Sequence, residues 1–416
     1  MKPRSVNEVL RWVVIVLAFA VPMYRAWISL AAILILLLWF FQGGLGDRAR
    51  RLARHRLTLA VIVFLTVNLA SLLWSDHPAA GFEYWRKYLY LLLIPAIASS
   101  VDRTTTRLAA LSFFAGSALA VAMMPVVILG DLHIRGTHPG NPAVTMSHLD
   151  FSIVLAFAAT LVVVHLAFGA NGWRPRLGWT ALLLVFIGGL VLNIGRSGQL
   201  AAIVTLIILV PFLLHRRRWW VRTGAAMAIV GIGLGIYLVV PRFQSRVDAG
   251  VDELYRAVAH REIVGNQGKR VAGMLVGLEI IRSHPVVGTG IGSNMPEFRR
   301  LLDTEFPELK EAIGWFPHMH NQYLQVVTEL GLLGLASLLG IFVALFGGRY
   351  LSPESRSASV ALGCVYLVGF FGDPYLHKQI PLALFALAAG LISSDDEAFA
   401  VAPAAVEASV PEETTS

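Results

Sequence analysis

The feature that most constrains this chain is a succession of apolar blocks, each roughly 15 to 24 residues long. A helix needs about 20 predominantly apolar residues to cross a hydrocarbon core about 30 Å thick. Only 14% of the residues are charged, against about 25% in a typical soluble domain. The pattern therefore predicts an all-α polytopic membrane protein.

Twelve such blocks divide the chain, and each predicts one transmembrane helix. Residues 1–240 contain predicted spans one to nine, and residues 323–393 contain spans ten to twelve. Between spans nine and ten, residues 241–322 form an 82-residue connection. Residues 394–416 are acidic and rich in Ala, Val, Pro and Thr, a composition that predicts a disordered cytoplasmic tail.

The distribution of Lys and Arg predicts the orientation of the chain. If the N-terminus is cytoplasmic, the inner segments carry 18 of these residues and the short outer segments carry six. The six outer residues are Arg25, Arg86, Lys87, Arg135, Arg196 and Lys378. This asymmetry is the usual orienting signal of a membrane protein. An even number of spans puts both termini in the cytoplasm and residues 241–322 outside. Because this distribution accounts for the net charge of +8, we expect membrane lipids as partners and no nucleic acid.

The 82-residue outer connection is long enough to predict a functional segment. Two stretches within it place apolar residues at i, i+3, i+4 and i+7, the spacing of one helix face. These are Val251, Leu254, Tyr255 and Val258, then Val271, Met274, Leu275 and Leu278. They predict two amphipathic helices on the membrane surface. Pro285 is expected to end the second one.

Two arginines on the predicted outer side are candidates for binding an anion. Arg196 lies between two apolar blocks, where a charge is costly. It either reaches the lipid headgroups or binds an anionic substrate, and the flanking Gly195 and Gly198 favour the second interpretation by leaving room for a ligand. Arg270 begins the second amphipathic helix, where a solvated surface charge is the simplest interpretation.

The densest group of polar residues lies where the outer loop enters span ten, at His318, His320, Asn321 and Tyr323. A histidine is a natural proton acceptor near neutral pH, although a structural role for the pair is also open. On a helix, two residues two positions apart diverge, so both could bind one metal only in an extended chain. No neighbouring Cys or Asp completes a zinc site, and we therefore expect no metal and no cofactor.

Three weaker signals complete the survey. Gly288 and Gly290 belong to a glycine-rich stretch that predicts a tight turn, because the α/β context of a nucleotide-binding loop is absent. Arg86 and Lys87 stand at the outer end of span four, where a headgroup anchor is the simplest role. No Asp-x-Asp motif occurs. Any pyrophosphate would therefore be bound by arginine or lysine instead of through a metal ion.

The order of these elements resembles the O-antigen ligase family of lipopolysaccharide assembly. The likeness rests on Arg196-Ser-Gly198, on Arg270 followed by an apolar helix and the stretch from His284 to Gly292, and on His318-Met-His-Asn-Gln-Tyr-Leu324. A twelve-span layout with a long loop before span ten agrees with it.

This resemblance implies a GT-C type, metal-independent, inverting glycosyltransferase in the bacterial inner membrane, with a periplasmic active site. Its donor would be polysaccharide linked to undecaprenyl pyrophosphate, and its acceptor lipid A-core. It implies that His320 is a catalytic residue and that Arg196 and Arg270, also catalytic, face the pyrophosphate. Because the attacking sugar hydroxyl must lose a proton, we expect His320 to accept it. The predicted substrate-binding residues are Arg86, Lys87, His318, Asn321, Tyr323, Gly288 and Gly290.

Two other functions remain open from the sequence. O-antigen polymerases and protein O-oligosaccharyltransferases share the general layout and differ in the acceptor. A transporter or flippase is the alternative from a different class, although transporters often show internal repeats and none is evident here.

Overall fold

The computed structural model describes residues 3–133 and 137–399, and the regular secondary structure of this part of the chain is helical. Its α-helices in chain order are α1 (Pro3–Ala20), α2 (Arg25–Phe41), α3 (Leu45–Leu52), α4 (Arg56–Ala70), α5 (Pro78–Tyr88), α6 (Leu93–Ala98), α7 (Arg103–Leu129), α8 (His148–Phe168), α9 (Trp173–Leu192), α10 (Arg196–Leu213), α11 (Trp219–Val239), α12 (Pro241–Tyr255), α13 (Gly265–Ser283), α14 (Asn294–Thr304), α15 (Pro307–Ile313), α16 (Gln322–Phe346), α17 (Pro353–Gly369) and α18 (Gln379–Ser393).

Seven of the described helices are long and apolar enough to cross a membrane, or up to eight if α2 and the helix after its sharp bend count as one span. The seven are α4 with its 3₁₀ extension, α7, α8, α9, α10, α11 and α16. The protein is thus a multi-pass helical membrane protein. Each of the twelve predicted spans overlaps a helix, but the complete twelve-span layout stays a prediction.

The fourth predicted span, residues 84–99, is not one continuous helix. α5 ends at Tyr88, a 3₁₀ turn covers Leu89–Leu92, and α6 follows. Pro95 has no N–H and therefore cannot donate to the carbonyl of Leu91, as the residue at this position would in one continuous helix. The apolar pattern of the sequence could not reveal this break.

α16 is also interrupted, at Gly331, whose φ of 62° is accessible mainly to glycine. Segment 285–290 lies against the break. Two of its amides donate to α16 carbonyls at 3.1 and 2.9 Å, and two α16 amides donate back to its carbonyls at 2.9 and 3.1 Å. Backbone groups buried away from water must be paired, and this segment pairs those that the break exposes.

The outer connection contains four helices, α12 to α15, where the sequence predicted two. α13, α14 and α15 enclose a small core that includes Val276, Ile280 and Phe298. The predicted apolar face of α13 lies on the other side of the helix, with Met274 45% and Leu275 49% exposed. α13 ends before Pro285, as predicted. Its core-facing side went unrecognised because small residues and glycines interrupt the pattern.

The first residues of the predicted disordered tail are ordered. Asp395 accepts hydrogen bonds from the amides of Leu351 and Ser352, and Asp396 accepts one from the amide of Arg349 at 2.7 Å. These bonds hold the turn that precedes α17, and the Ser352 hydroxyl caps the helix by accepting the N–H of Ser355. Residues 400–416 lie outside the described residues, as does Arg135, one of the predicted outer charges.

One end of the helix bundle carries a cluster of charged residues, and the other end carries the histidines of the predicted site. At one end, where α16 finishes and α17 begins, a cleft is lined by four arginines and two carboxylates: Arg51, Arg54, Arg56, Arg349, Asp396 and Glu397. At the opposite end, where α16 begins and α17 finishes, lie the histidines of the predicted site. The positive charge at the first end agrees with a cytoplasmic position, which stays a prediction.

Candidate active site

The outer loop returns to α16 through residues 315–320, which carry both histidines. Phe316 and Met319 belong to the small core formed by α13 to α15, and the Phe316 ring contacts the His320 ring edge-on at 5.0 Å. His320 has a φ of 50°, in the left-handed region. The chain is therefore not helical here, and the rings of His318 and His320 lie 4.2 Å apart.

The connection between α17 and α18 places the completely buried Asp373 beside both histidines. Its Oδ1 lies 3.5 Å from His320 Nδ1 and 3.8 Å from His318 Nδ1. Its Oδ2 forms an ion pair with Lys378 Nζ, and Lys378 also lies 3.5 Å from Asp150. The carboxylate is thus held between two imidazoles and an ammonium group.

Hydrogen-bond partners distinguish the two histidines chemically. His318 Nδ1 accepts the backbone N–H of His320 at 3.2 Å, so the proton of a neutral His318 resides on Nε2. Within the described part of the chain, neither His320 Nδ1 nor Asp373 Oδ1 forms a hydrogen bond, and because the two atoms face each other at 3.5 Å we assign the His320 proton to Nδ1. The 3.5 Å separation is long, as catalytic hydrogen bonds often are without substrate. With this tautomer, the ring lone pair of His320 lies on Nε2.

The charges of this cluster are well defined. Burial raises the pKa of Asp373, but the hydrogen bond from His320 and the charge of Lys378 outweigh it and lower the pKa to about 2. Burial lowers the pKa of His318 to about 3, although Asp373 opposes this effect. At neutral pH the site therefore contains an ionised Asp373 and an uncharged His318.

A cationic cleft lies next to this cluster, with a volume of about 170 Å³. Three arginines from three helices line it: Arg196, the first residue of α10; Arg246 of α12; and Arg270 of α13. His148 and Gln267 contribute further polar groups, and no carboxylate is among the lining residues. Burial and the neighbouring Arg196 lower the pKa of Arg246. Three guanidinium groups without a counter-charge in the lining favour an anionic ligand.

The cleft and the histidine–aspartate cluster are joined by segment 372–375. The hydroxyls of Ser197 and Tyr375 are 2.5 Å apart and share a hydrogen bond. A Cβ at Gly372 would lie 2.3 Å from Cβ of Ser197, so only glycine permits this approach. Burial lowers the pKa of Arg270, while Asp373 raises it. The pKa of Arg270 therefore depends on the charge of Asp373 in the cluster and on that of Arg196 in the cleft.

Four predicted substrate-binding residues have structural contacts in this fold. The Asn321 side chain accepts the N–H of Leu324 and caps α16, and the Tyr323 hydroxyl donates to the Leu367 carbonyl at 2.6 Å. Gly288 and Gly290 have φ of 66° and 84°, which confirms the predicted tight turn. Both are buried against backbone of other helices, so their conformation serves chain packing.

The other predicted positions lie elsewhere. Arg86 and Lys87 are exposed on α5; Lys87 lies over the Tyr84 ring, and neither lines the cationic cleft. The expectation that Gly195 and Gly198 leave room for a ligand was wrong. A Cβ on either would lie within 2.5 Å of atoms of α8, so these glycines let α8 and α10 pack closely.

The argument that no carboxylate completes the histidine pair was also wrong. Donor atoms of His318, His320 and Asp373 lie within 4.8 Å of one another, a set that could hold a metal ion. The second oxygen of Asp373 is already paired with Lys378. The nearby positive charge of Arg270 also disfavours a further cation.

Three residues of the site were missed by the sequence reasoning. On α12, Arg246 follows Arg242 by four positions, so the two arginines lie on the same helix face. This spacing could have indicated a cationic face on that helix. Asp373 follows the eleventh apolar block on the predicted outer side, where a buried acid is unusual. Lys378 was considered only for orientation, although it contacts Asp373.

Residues 180–339 match a family model described as O-Antigen ligase. The matched segment contains Arg196, Arg270 and His320 and ends before Asp373. The chain is 24% identical over 336 residues to the exopolysaccharide production protein ExoQ of Rhizobium meliloti, covering 76% of this chain and 72% of that protein. It is 24% identical over 310 residues to an O-antigen ligase of Salmonella typhimurium, covering 71% and 70%. These matches confirm the resemblance to the O-antigen ligase family and support a role in polysaccharide biosynthesis.

Proposed function

We propose that this protein is an O-antigen ligase that transfers polysaccharide from undecaprenyl pyrophosphate to lipid A-core on the periplasmic face of the bacterial inner membrane. The observation that carries this proposal is the adjacency of two chemically different sites. A cleft with three arginines adjoins a histidine whose orientation a buried carboxylate fixes, and segment 372–375 contacts both. Transfer from a pyrophosphate carrier to a hydroxyl requires both functions.

The cationic cleft binds the pyrophosphate of the donor in this proposal. Arg196 and Arg270 grip its oxygens, since a planar guanidinium can bind two phosphate oxygens at once. Arg246 adds a third positive group. Arg196 is the first residue of the 18-residue α10, and the free N–H groups of a helix N-terminus favour an anion. These groups stabilise the negative charge that grows as the bond between the sugar and the pyrophosphate breaks.

His320 activates the acceptor. Its Nε2 takes the proton of the acceptor hydroxyl while that oxygen bonds to the anomeric carbon, and the pyrophosphate leaves with the electrons of the broken C–O bond. Asp373 keeps the proton of neutral His320 on Nδ1 and stabilises the imidazolium that forms, as in other His–carboxylate pairs. A single displacement of this kind inverts the anomeric configuration. Arginines and Lys378 provide the positive charge, so the reaction needs no metal ion.

The apolar face of α12 lies beside the cleft and suits the lipid part of the donor. Arg246 lines the cleft, whereas Val251, Leu254 and Tyr255 of the same helix are 62%, 48% and 60% exposed. An amphipathic helix with such a face lies in the membrane interface. The pyrophosphate can thus enter the cleft while its polyprenyl chain stays in the lipid.

A second candidate acceptor follows from the likeness to ExoQ. With the same donor chemistry, the hydroxyl could belong to a growing polysaccharide, and the enzyme would then be a polymerase. Transfer to a protein hydroxyl is the third variant of this chemistry.

A carbohydrate blot of a deletion strain separates these acceptors. A ligase predicts that lipid A-core loses its polymer while carrier-linked polymer of normal length accumulates. Accumulation of single repeat units would instead identify a polymerase, and unchanged lipopolysaccharide with loss of a glycoprotein would identify protein modification. Complementation with the His320→Ala variant, at equal membrane abundance, is the matched control for the chemistry.

A further inference from the structure

A buried polar network lies behind the candidate active site, and the proposed reaction assigns it no role. Its centre is Glu329 of α16, which is completely buried, as is nearly all of Gln325 one turn earlier. A buried carboxylate is costly unless hydrogen bonds satisfy it. The partners of Glu329 therefore indicate why a helix that is otherwise strongly apolar carries an acid here.

One arm of the network leads to the histidines. The Gln325 Nε2 donates to Glu329 Oε1 at 2.9 Å, and the Gln325 Oε1 accepts the backbone N–H of Met319 at 3.0 Å. Met319 stands between His318 and His320. The orientation of the Gln325 amide, and through it the position of the histidine segment, thus depends on Glu329.

The other arm leads to the aspartate. Glu329 Oε2 lies 3.4 Å from His377 Nε2, an ion-pair contact when the imidazole is protonated, and within the described residues neither atom forms a hydrogen bond. His377 belongs to the same short connection as Asp373 and Lys378. The rings of Tyr84 and Tyr88 each lie 5.4 Å from the His377 ring and confine it.

A parallel pair of hydrogen bonds joins the same two segments. The backbone N–H of Gln322 donates to the Phe370 carbonyl at 2.8 Å, and the Gln322 side chain accepts the N–H of Leu376 at 2.8 Å. The start of α16 and segment 370–378 are therefore joined by two sets of contacts, one through Gln322 and one through Glu329. Of these two sets, the one through Glu329 also reaches the histidine segment, through Gln325.

We infer that Glu329 is a positioning residue: by accepting a hydrogen bond from Gln325 and contacting His377 at the same time, it sets the distance between His320 and Asp373. This inference rests on the proposed function of that pair. The 3.5 Å separation of His320 Nδ1 and Asp373 Oδ1 leaves little tolerance, because a longer distance releases the Nδ1 proton from the carboxylate. A displacement of about 1 Å in a catalytic group can cost about 10²-fold in rate.

The test measures single-turnover transfer by purified variants in proteoliposomes, using carrier-linked polymer and lipid A-core from a deletion strain. Glu329→Ala should lower the single-turnover rate constant at saturating donor by about 10²-fold, with little change in the donor concentration that gives half of that rate, and Gln325→Ala should behave alike. Glu329→Gln should recover most of the rate, since an amide can accept from Gln325 and donate to His377. Ser337→Ala removes another buried polar group of α16 and should transfer normally.

A double-mutant cycle distinguishes positioning from general stabilisation. If Glu329 acts through the His320–Asp373 pair, adding Glu329→Ala to an Asp373→Asn variant should lower the single-turnover rate by less than about threefold, because the first substitution has already disrupted the pair. Independent, multiplicative losses would overturn the inference, as would a wild-type rate for Glu329→Ala. If Glu329→Ala does not fold, Gln325→Ala in the same cycle decides.

The failure of this inference can be told from the failure of the proposed function. If His320→Ala transfers normally, His320 is not the base, and both the proposed mechanism and the positioning role of Glu329 are wrong. If His320→Ala is inactive while Glu329→Ala and Gln325→Ala transfer at the wild-type rate, the positioning role alone is wrong.

Discussion

Replacing Asp373 with asparagine should remove the basic nitrogen of His320 while preserving the shape of the site. Lys378 occupies the second oxygen of Asp373, so an asparagine should turn its carbonyl oxygen towards the ammonium and its NH₂ towards His320. His320 Nδ1 would then accept a hydrogen bond, and its proton would move to Nε2. That nitrogen could no longer take the proton of an acceptor hydroxyl.

The size of this effect follows from the role assigned to His320. General-base catalysis is typically worth about 10²–10⁴-fold, and the analogous exchange in a serine protease triad costs about 10⁴-fold. Asp373→Asn should therefore lower the single-turnover rate by about 10²–10⁴-fold, or about 3 to 5 kcal/mol in the barrier. Lys378 retains Asp150 as a partner at 3.5 Å, so the protein should still fold.

The assay is single-turnover transfer in proteoliposomes, with binding of undecaprenyl pyrophosphate measured separately. Asp303→Asn is the matched control, because Asp303 forms an exposed ion pair with Lys310 on the same outer connection. It should leave the rate unchanged. A rate for Asp373→Asn within about threefold of wild type, with equal donor binding, would refute the tautomer argument.

Three further predictions follow from the site. Arg196→Lys and Arg270→Lys should each insert normally but lose most donor binding, because an ammonium lacks the bidentate fork; near wild-type binding in both would remove them from the pyrophosphate site. Purified protein should transfer polymer in excess EDTA, whereas a loss that Mg²⁺ or Mn²⁺ restores would make His318, His320 and Asp373 metal ligands. Folding lowers the pKa of His318 from 6.5 to about 3. Between these two pH values the unfolded chain binds one more proton at His318 than the folded chain does. The free energy of unfolding therefore falls as the pH falls from 6.5 to about 3, by at most about 1.4 kcal/mol per pH unit. Thermal unfolding of His318→Gln should show a shallower pH dependence there, and a slope equal to wild type would contradict it.

Much of the architecture could be predicted because each apolar block needs a helix to satisfy its backbone in lipid. The departures are local. Pro95 breaks the fourth predicted span, and Gly331 breaks α16 because segment 285–290 supplies hydrogen bonds that a regular helix would otherwise make. α14 and α15 were missed because they are short and face a core that the sequence pattern does not mark.

The candidate site was predictable only where its residues lie close together in sequence. His318 and His320 form a recognisable pair, and Arg196 is conspicuous beside hydrocarbon. Asp373 is 53 residues from His320, and only the packing of α16 against the end of α17 brings them together. The two glycines beside Arg196 were misread, because small residues serve close helix packing as well as ligand space.

The central claim is that His320 is the base of a glycosyl transfer to lipid A-core, and single-turnover transfer by His320→Ala tests it most directly. The assay compares wild type, His320→Ala and His318→Ala with the same carrier-linked polymer and lipid A-core, and donor binding is measured in parallel. We predict that His320→Ala binds donor normally and transfers about 10²–10⁴-fold more slowly, while His318→Ala loses less. A wild-type rate for His320→Ala, or a loss explained entirely by donor binding, would contradict the account.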